Sequence, residues 1–226
     1  MEQKMRSKRF KSANDFWTQV ETLNHATEGS CFKLHMHIAK QIVDEMYQEC
    51  LAFDDWTNHG EYTIQFGDEY ALAEPGKHYF SGRYIAQPDK ENFPKIHQFF
   101  ENFSDEFSNP VIQKLEAGAQ IIVHNHGPAI PYTYNMSLNY PKGVKFAFYP
   151  QGLIPYSAGD IYKLFVAEDH AVRNDSELDR YHIIFRASKR VYFKEGYKLR
   201  RGMAGFLGTG NHINKFGSAK GKVRIV

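Results

Sequence analysis

Cysteine and long apolar runs are both scarce in this chain of 226 residues. The only cysteines are Cys31 and Cys50, too few for a disulfide scaffold or for a four-thiolate zinc or iron–sulfur site. No apolar run approaches the roughly 18 residues that a membrane-spanning helix needs. The basic segment 1–11 leads into no apolar stretch, so it does not resemble a secretory signal. We therefore expect a reducing, intracellular (cytoplasmic) location and no membrane partner.

The chain also lacks an internal repeat and a Pro- or Ser-rich linker. Its charged fraction of 24% is ordinary for a globular protein, which excludes disorder, collagen and coiled coil as overall descriptions. Aromatic residues, in contrast, are abundant at 15%. This abundance favours a β-rich fold with an aromatic core or pocket.

Charges of the two signs are segregated along the chain. Residues 1–11 carry +4 and residues 186–226 carry +10, so the middle must carry −12 to give the total of +2. A basic C-terminal tail of this kind suits contact with an acidic partner, such as nucleic acid. The same pattern suits a solvated tail that folds back on the acidic middle, and the sequence leaves both possibilities open.

Two segments, 33–53 and 93–107, have apolar residues at helical spacing. For the second segment, Asn92 is the predicted N-cap, and Asn109-Pro110 is predicted to end the run. Between the two helices the sequence predicts strands over 61–66 and 79–86.

From residue 118 onward, short β-type runs separated by turn residues replace this helical spacing. The predicted strands are 120–123, 132–140, 144–149, 161–166 and 180–186. Many short strands at even spacing are typical of a sandwich or barrel. The sequence therefore predicts N-terminal helices and strands over 1–110, a barrel over 111–195, and a basic, glycine-rich extension over 196–226.

Two histidines follow the predicted strand 120–123. His124 and His126 are two residues apart, and alternate residues of a strand point to the same face, so both imidazoles can enter one cavity. His170 lies at the end of another strand. Imidazole suits iron, copper, nickel and zinc. On spacing alone, the alternative is that these are ordinary hydrogen-bonded histidines at strand ends.

The surroundings of these histidines resemble a known family. The positions that share its spacing are Gly118 six residues before His124, Pro141 seventeen after it, Gly159-Asp160 at the start of the strand leading to His170, and Arg180 ten after His170. This pattern resembles the aspartyl/asparaginyl β-hydroxylases, which are iron(II)- and 2-oxoglutarate-dependent oxygenases. The resemblance covers residues 111–187, about a third of the chain.

The resemblance implies a mainly β fold with flanking helices, built on a double-stranded β-helix (the jelly-roll or cupin-like barrel). It implies that His124 and His170 bind iron(II) and that Arg180 pairs with the distal carboxylate of 2-oxoglutarate. A planar guanidinium suits that role because it grips a carboxylate with two hydrogen bonds. The implied reaction hydroxylates an amino-acid-like or peptidyl substrate and decarboxylates 2-oxoglutarate to succinate. For Arg180 the alternative is a surface ion pair with a nearby acid.

The chain departs from the family's pattern at two places. His126 stands where the wider superfamily has a carboxylate ligand, and it is either a third metal ligand or a group that hydrogen-bonds a metal-bound water. A further family arginine is missing from the stretch 132–135. There, Thr133 and Asn135 alternate onto one face and could hydrogen-bond 2-oxoglutarate or the substrate.

The same residues also resemble the cupins. Residues 118–126 resemble the first cupin motif, and residues 159–174 resemble the second. Three-histidine cupin dioxygenases bind iron through such a set and use no 2-oxoglutarate. The sequence thus leaves three possibilities, which share the barrel: a 2-oxoglutarate-dependent hydroxylase, a cupin-type dioxygenase and a non-catalytic barrel used for binding.

Overall fold

The structure is a computed structural model that describes residues 10, 13–23, 29–58, 82–126 and 132–194. The helices are α1 (Ala13–Glu21), α2 (Lys40–Ala52), α3 (Pro94–Asn102) and α4 (Lys189–Lys194). The strands are β1 (Phe32–His37), β2 (Thr57–Asn58), β3 (Arg83–Ala86), β4 (Phe107–Leu115), β5 (Gln120–His124), β6 (Thr133–Ser137), β7 (Val144–Phe148), β8 (Gly152–Leu153), β9 (Asp160–Leu164), β10 (His170–Asn174) and β11 (Arg180–Ala187).

The last eight strands form a jelly roll. β4 pairs with β11, β5 with β10, β6 with β9 and β7 with β8, all antiparallel. This nested pairing of first strands with last strands distributes the eight strands over two facing sheets, which is the jelly-roll arrangement. The predicted mainly β, double-stranded β-helix fold is therefore confirmed.

Strands from the first part of the chain extend one of the two sheets. Its order is β1-β9-β6-β11-β4-β3-β2, and the second sheet has the order β5-β10-β7-β8. Helices α2 and α3 cover the outer face of the larger sheet, where Phe100 of α3 packs on Phe185 of β11 with ring centroids 5.0 Å apart. Helix α1 covers the smaller sheet, where Phe16 belongs to the same apolar cluster as Val123.

The helix predicted over 33–53 is only partly correct. Residues Lys40–Ala52 form α2, but Phe32–His37 form β1, which pairs with β9. Leu34 and Ile38 fit a helical spacing, but with Met36 between them they also fit a spacing of two, so the periodicity is ambiguous there. Pairing with β9 makes Phe32–His37 a strand.

The helix predicted over 93–107 is too long at its C-terminal end. It ends at Asn102, and Phe107 already begins β4. Asn109 has φ 53° and lies where the pairing of β4 with β11 shifts register, so Asn109-Pro110 marks a bulge inside a strand and does not end the helix.

The predicted N-cap of this helix was also wrong. The cap position is Phe93, and the side chain of Asn92 donates to Asp89 instead. The carboxylate of Glu49 on α2 accepts from the backbone N–H groups of Lys95 and Ile96 at 2.6 and 3.1 Å. A residue distant in sequence therefore satisfies the first turn of α3, and local sequence could not indicate it.

The strands predicted after residue 118 correspond to β5, β6, β7, β9 and β11, with shifted ends. Strands β4, β8 and β10 were missed. The predicted strand 61–66 and the extension 196–226 lie outside the described residues, and the proposed division at residues 110 and 195 stays a prediction. Among the helices that the structure describes, none is long and apolar enough to cross a membrane.

Candidate metal centre and ligand site

Three histidines meet between the two sheets. His124, the last residue of β5, is paired with His170, the first residue of β10, and their ring centroids lie 4.3 Å apart. His126 follows two residues later, and its Nε2 lies 3.3 Å from Nε2 of His124. One ligand nitrogen from each of the three rings falls within 4.8 Å of the others. The structure thus brings all three predicted residues together.

Backbone carbonyls fix the protonation of two of these rings. Nδ1 of His124 lies 2.8 Å from the Ile122 carbonyl, and Nδ1 of His170 lies 2.8 Å from the Glu168 carbonyl. A carbonyl oxygen only accepts, so each Nδ1 carries the hydrogen and donates it. Each neutral ring therefore presents the lone pair of Nε2 to the shared space, which is how metal-binding histidines are oriented in proteins.

Burial keeps these rings neutral. It lowers the pKa of His124 to about 4 and lowers the pKa of His126 and His170 well below the ordinary histidine value. The neighbouring imidazoles lower the pKa of His126 and His170 further. Neutral imidazole is the form that binds a metal, so no proton has to be removed at neutral pH.

The contact between His124 and His126 has the spacing of two ligands on one ion. Because Nε2 of His124 presents a lone pair, the nitrogen of His126 facing it needs either a hydrogen or a shared cation between them. Two nitrogens bound to one ion at about 2.0–2.1 Å lie roughly 2.9–3.4 Å apart at angles near 90–110°. The observed 3.3 Å falls within this range.

A buried hydrogen bond joins the two strand ends that carry the histidines. Asn125 Nδ2 donates to Asp169 Oδ1 at 2.7 Å, and these residues lie next to His124 and His170 in sequence. Phe148 stacks on the ring of His170 with centroids 4.8 Å apart. The backbone N–H of His126 donates to the Val166 carbonyl. These contacts hold in place the backbone and the rings of the three histidines.

Arg180 is the largest fully buried side chain of the described residues. Its Nε, Nη1 and Nη2 atoms have no hydrogen-bond partner there. The guanidinium carbon lies 5.7–5.9 Å from the ring centroids of Tyr140, Phe146 and Tyr156. Burial lowers the pKa of Arg180, but guanidinium groups stay charged in proteins. Aromatic faces stabilise a cation only in part, so this position calls for an anion. The alternative of a surface ion pair was wrong.

Asn135 lies beside this arginine site and keeps a free donor. Its Oδ1 accepts from the Tyr156 hydroxyl at 2.9 Å, while its fully buried Nδ2 has no partner among the residues described. Burial raises the pKa of Tyr156 well above its ordinary value, so the hydroxyl keeps its proton. Asn135 therefore has a donor available for a ligand, and its predicted role in binding one stays a prediction.

Thr133 is less suited than Asn135 to bind an anion. Its hydroxyl donates to the Phe185 carbonyl at 2.8 Å, and this bond joins β6 to β11. While that bond is kept, the hydroxyl presents only lone pairs, which repel a carboxylate. Of the two β6 residues predicted to bind the cosubstrate, Asn135 is the better placed.

No family model matches the chain, and no curated protein matches its sequence. Solved structures are similar to it at low identity. A prolyl-4-hydroxylase of Pseudomonas putida is 11% identical, with a TM-score of 0.48, over 70% of this chain and 92% of that one. HygX of Streptomyces hygroscopicus, with nickel and 2-oxoglutarate bound, is 11% identical, with a TM-score of 0.47, over 69% and 82%.

A 2OG-Fe(II) oxygenase-family oxidoreductase of Burkholderia pseudomallei is also similar. It is 10% identical, with a TM-score of 0.47, over 77% of this chain and 89% of that one. Similarity at this level assigns no role to any residue.

Several polar residues of the interior were not singled out from the sequence. His182 is buried on β11 two residues after Arg180, and its Nδ1 has no partner in the described part of the chain. Strand alternation from Arg180 was the signal that could have found it. Arg83 on β3 donates from Nε to Gln113 Oε1 at 3.2 Å. No sequence signal placed Arg83 beside Gln113, because β3 is placed by pairing with β4.

The residues present fit a divalent metal and an anionic ligand. The metal donors would be His124, His126 and His170, which meet the need for neutral nitrogen ligands. The fully buried, unpartnered guanidinium of Arg180 meets the need of a carboxylate. Both features lie near Phe146, whose ring centroid is 6.1 Å from that of His170 and 5.7 Å from the guanidinium carbon of Arg180.

Proposed function

We propose that this protein is an iron(II)- and 2-oxoglutarate-dependent oxygenase that hydroxylates an amino-acid-like or peptidyl substrate. The observation that carries the proposal is the pairing of a neutral histidine cluster with the buried, unpartnered Arg180 in one jelly-roll interior. A histidine cluster alone suits many metal proteins, whereas a buried guanidinium beside it calls for an acidic cosubstrate. The proposal agrees with the enzyme class named for the similar structures but rests on the residues of this chain.

His124 and His170 would hold the iron, with His126 as the third nitrogen ligand. Bound iron(II) supplies dioxygen chemistry that couples decarboxylation of 2-oxoglutarate to succinate with hydroxylation of a substrate C–H bond. The protein holds Nδ1–H of two ligands on backbone carbonyls, which prevents those rings from turning away. Phe148, stacked on His170, helps exclude water from this side.

Arg180 would bind the distal carboxylate of 2-oxoglutarate at the end of the pocket. The rings of Tyr140, Phe146 and Tyr156 hold its guanidinium in a low-dielectric setting, where a charged pair with two hydrogen bonds is strong. The free Nδ2 of Asn135 would donate a further hydrogen bond to the same ligand. Thr133 would line the pocket without donating to an anion.

The finer assignments belong to the same proposal. The aspartyl/asparaginyl hydroxylase-like subtype rests on the spacing from Gly118 to Arg180. Contact of the basic extension 196–226 with an acidic partner rests on its charge alone.

A three-histidine, cupin-type dioxygenase that uses no 2-oxoglutarate is the second candidate. The observation that favours it is the donor set, since in the described residues three histidines lie together and no carboxylate lies with them. In that case Arg180 would bind the substrate's own anionic group.

Visible absorption under anaerobic conditions separates the two candidates. Iron(II) and then 2-oxoglutarate are added to the metal-free protein. We expect the weak charge-transfer band of a chelated keto acid, and we expect Arg180→Gln to weaken it and His170→Ala to abolish it. A thiol that produces a new band, together with no response to 2-oxoglutarate, would support the cupin-type candidate.

The role of His126 is tested by metal binding without turnover. If His126 is a ligand, His126→Ala should lose metal as severely as His124→Ala, and His126→Asp should restore binding with a carboxylate. If it only hydrogen-bonds a metal-bound water, His126→Ala should keep most of the metal, with roughly a 10- to 100-fold loss of affinity. Metal content after dialysis measures both outcomes.

A further inference from the structure

Two aliphatic residues of the larger sheet face the barrel interior at one end of the jelly roll. Val111 of β4 and Ile184 of β11 are directly paired. Their chain neighbours Ile112 and Ile183 are fully buried in the cluster under helices α2 and α3, so strand alternation turns Val111 and Ile184 inward. Neither belongs to a buried core cluster of the described residues, and both are partly exposed. An inward-facing aliphatic residue that solvent can reach lines the open part of the interior.

The far end of the barrel is fixed by two short connections between the sheets. Residues 116–119 join β4 to β5, and residues 175–179 join β10 to β11. The fully buried Asn174, which ends β10, ties the two connections together. Its Nδ2 donates to the carbonyls of Leu115 and Leu178 at 3.1 and 2.9 Å. The four strands β4, β5, β10 and β11 therefore leave one common corner.

The aliphatic pair and the strand-end histidines lie at the same height above this corner. Val111 lies four residues before the end of β4, and His124 lies four residues after the start of β5. Ile184 lies four residues after the start of β11, and His170 lies four residues before the end of β10. Four residues of a strand span about 13 Å, and packed sheets lie about 10 Å apart. Because His124 is also paired with His170, the aliphatic pair of one sheet faces the histidine pair of the other.

The exposure of the inward-facing residues agrees with this placement. On β11, Arg180 and His182 are buried, whereas Ile184 and the next inward-facing residue, Arg186, are partly exposed. On β5, His124 is partly exposed as well. Solvent therefore enters the barrel at the level of the histidines. The aliphatic pair forms an apolar band between Arg180, which lies deeper, and Arg186, which lies nearer the opening.

We propose that Val111 and Ile184 form the wall against which the reacting group of the substrate packs, and that this group is an uncharged aliphatic side chain. This inference rests on the proposed function. The two branched side chains offer no hydrogen bond, so a carboxylate packed on them would lose its water without replacement. A methyl or methylene group gains by leaving water there, and it presents the C–H bond that such an oxygenase hydroxylates. Within the proposed function, an aliphatic side chain is therefore preferred to the carboxylate of an aspartyl side chain.

Calorimetry of the protein loaded with nickel(II) and 2-oxoglutarate tests this inference without turnover. The probes are the N-acetyl amides of alanine, leucine, cyclohexylalanine and aspartate. We expect the leucine derivative to bind at least about tenfold more tightly than the aspartate derivative. Ile184→Ala leaves space beside the bound side chain. It should therefore raise the affinity for the cyclohexylalanine derivative, relative to the leucine derivative, by about fivefold or more.

Three further variants sharpen this test. Ile183→Ala makes the same truncation on the opposite face of β11 and should leave the ratio of the two affinities within about twofold of the parent's. Val111→Thr keeps the shape of the wall but adds a hydroxyl, and it should weaken the leucine derivative about threefold or more. Ile184→Val removes one methyl group and should shift the ratio in the same direction as Ile184→Ala by a smaller factor. It keeps the test in place if the alanine variant does not fold, which thermal melting shows.

Several results would overturn the inference. They are an aspartate derivative that binds as tightly as the leucine derivative, Ile184 variants whose affinity ratio equals that of Ile183→Ala, or a loaded parent protein that binds none of the four probes. Failure of the proposed function looks different, since the parent protein would then fail to bind 2-oxoglutarate at all.

Discussion

Near the start of β11, the two faces of the strand are equally buried but chemically opposite. On the outer face, Tyr181, Ile183 and Phe185 pack under helices α2 and α3. On the inner face, Arg180 and His182 are just as inaccessible, yet they carry polar atoms without partners in the described residues. Such an atom costs about 1–3 kcal/mol when buried. The comparison teaches that burial does not locate this site, whereas unsatisfied buried polar atoms do.

The largest expected effect comes from the outer face. Ile183→Ala should lower the free energy of unfolding by about 2–5 kcal/mol, because it leaves a cavity in a fully buried position. Urea unfolding measures the loss. The folded variant should still bind 2-oxoglutarate as the parent does. A large loss of ligand affinity would contradict the view that the outer face contributes to stability and the inner face to ligand binding.

Arg180→Met on the inner face should have the opposite pattern of effects to Ile183→Ala: weaker ligand binding and a higher stability of the free protein. It should weaken 2-oxoglutarate binding by about 2–4 kcal/mol, since the carboxylate loses its partner. The metal- and ligand-free protein should meanwhile become more stable, because an unpaired buried charge is replaced by an apolar side chain of similar length. Calorimetry and thermal melting measure the two quantities. Arg190→Met, at an exposed site, is the control and should change neither.

The link between Asn125 and Asp169 should affect the metal more than the fold. Asp169→Asn should weaken metal affinity roughly 10- to 100-fold, because the strand ends bearing His124 and His170 lose their connection. The double exchange Asn125→Asp/Asp169→Asn restores a donor–acceptor pair and should recover part of the affinity. Asn92→Asp changes the exposed pair of Asn92 with Asp89 and serves as the matched control. Equal metal affinity in the parent protein and these three variants would show that this hydrogen bond does not affect metal binding.

The smallest effect expected from a single residue is its contribution to the dependence of stability on pH. His124 stays neutral in the folded protein down to pH of about 4, because burial lowers its pKa, whereas an unfolded histidine takes a proton below about pH 6.5. Between these values the unfolded chain binds more protons, so acid destabilises the metal-free fold. His182, with its pKa lowered well below the ordinary value, acts in the same direction.

Lowering the pH from 7.5 to 5.5 should cost about 1 kcal/mol for each such histidine. Urea unfolding of the metal-free protein at the two pH values measures this cost. His182→Gln should reduce the difference by about one histidine's share, and an unchanged difference would show that His182 is protonated in the folded state.

Local patterns predicted the barrel because its strands are short, alternating and separated by turn residues. The same alternation predicted that His124 and His126 would reach one cavity, and their nitrogens are in contact. Where helix and strand spacing coincide, as at Phe32–His37, pairing with β9 decided the outcome, and no local pattern contains that information.

The remaining parts of the site depend on contacts distant in sequence. Arg83 reaches the interior only because β3 pairs with β4, and Asn125 meets Asp169 only because β5 pairs with β10. Thr133 and Asn135 share a face as predicted, but the Phe185 carbonyl takes the threonine hydroxyl. Which groups stay unsatisfied is a property of the packed structure.

The carbonyl bonds to Nδ1 of His124 and His170 also determine the heat of metal binding. Because Nε2 of each ring is already unprotonated at neutral pH, an incoming cation displaces no proton from either ring. The calorimetric enthalpy should then be the same in phosphate and in Tris, whose ionisation heats differ widely. A thiolate site would release protons and follow the buffer. A metal that binds these histidines would then do so without acidifying its surroundings.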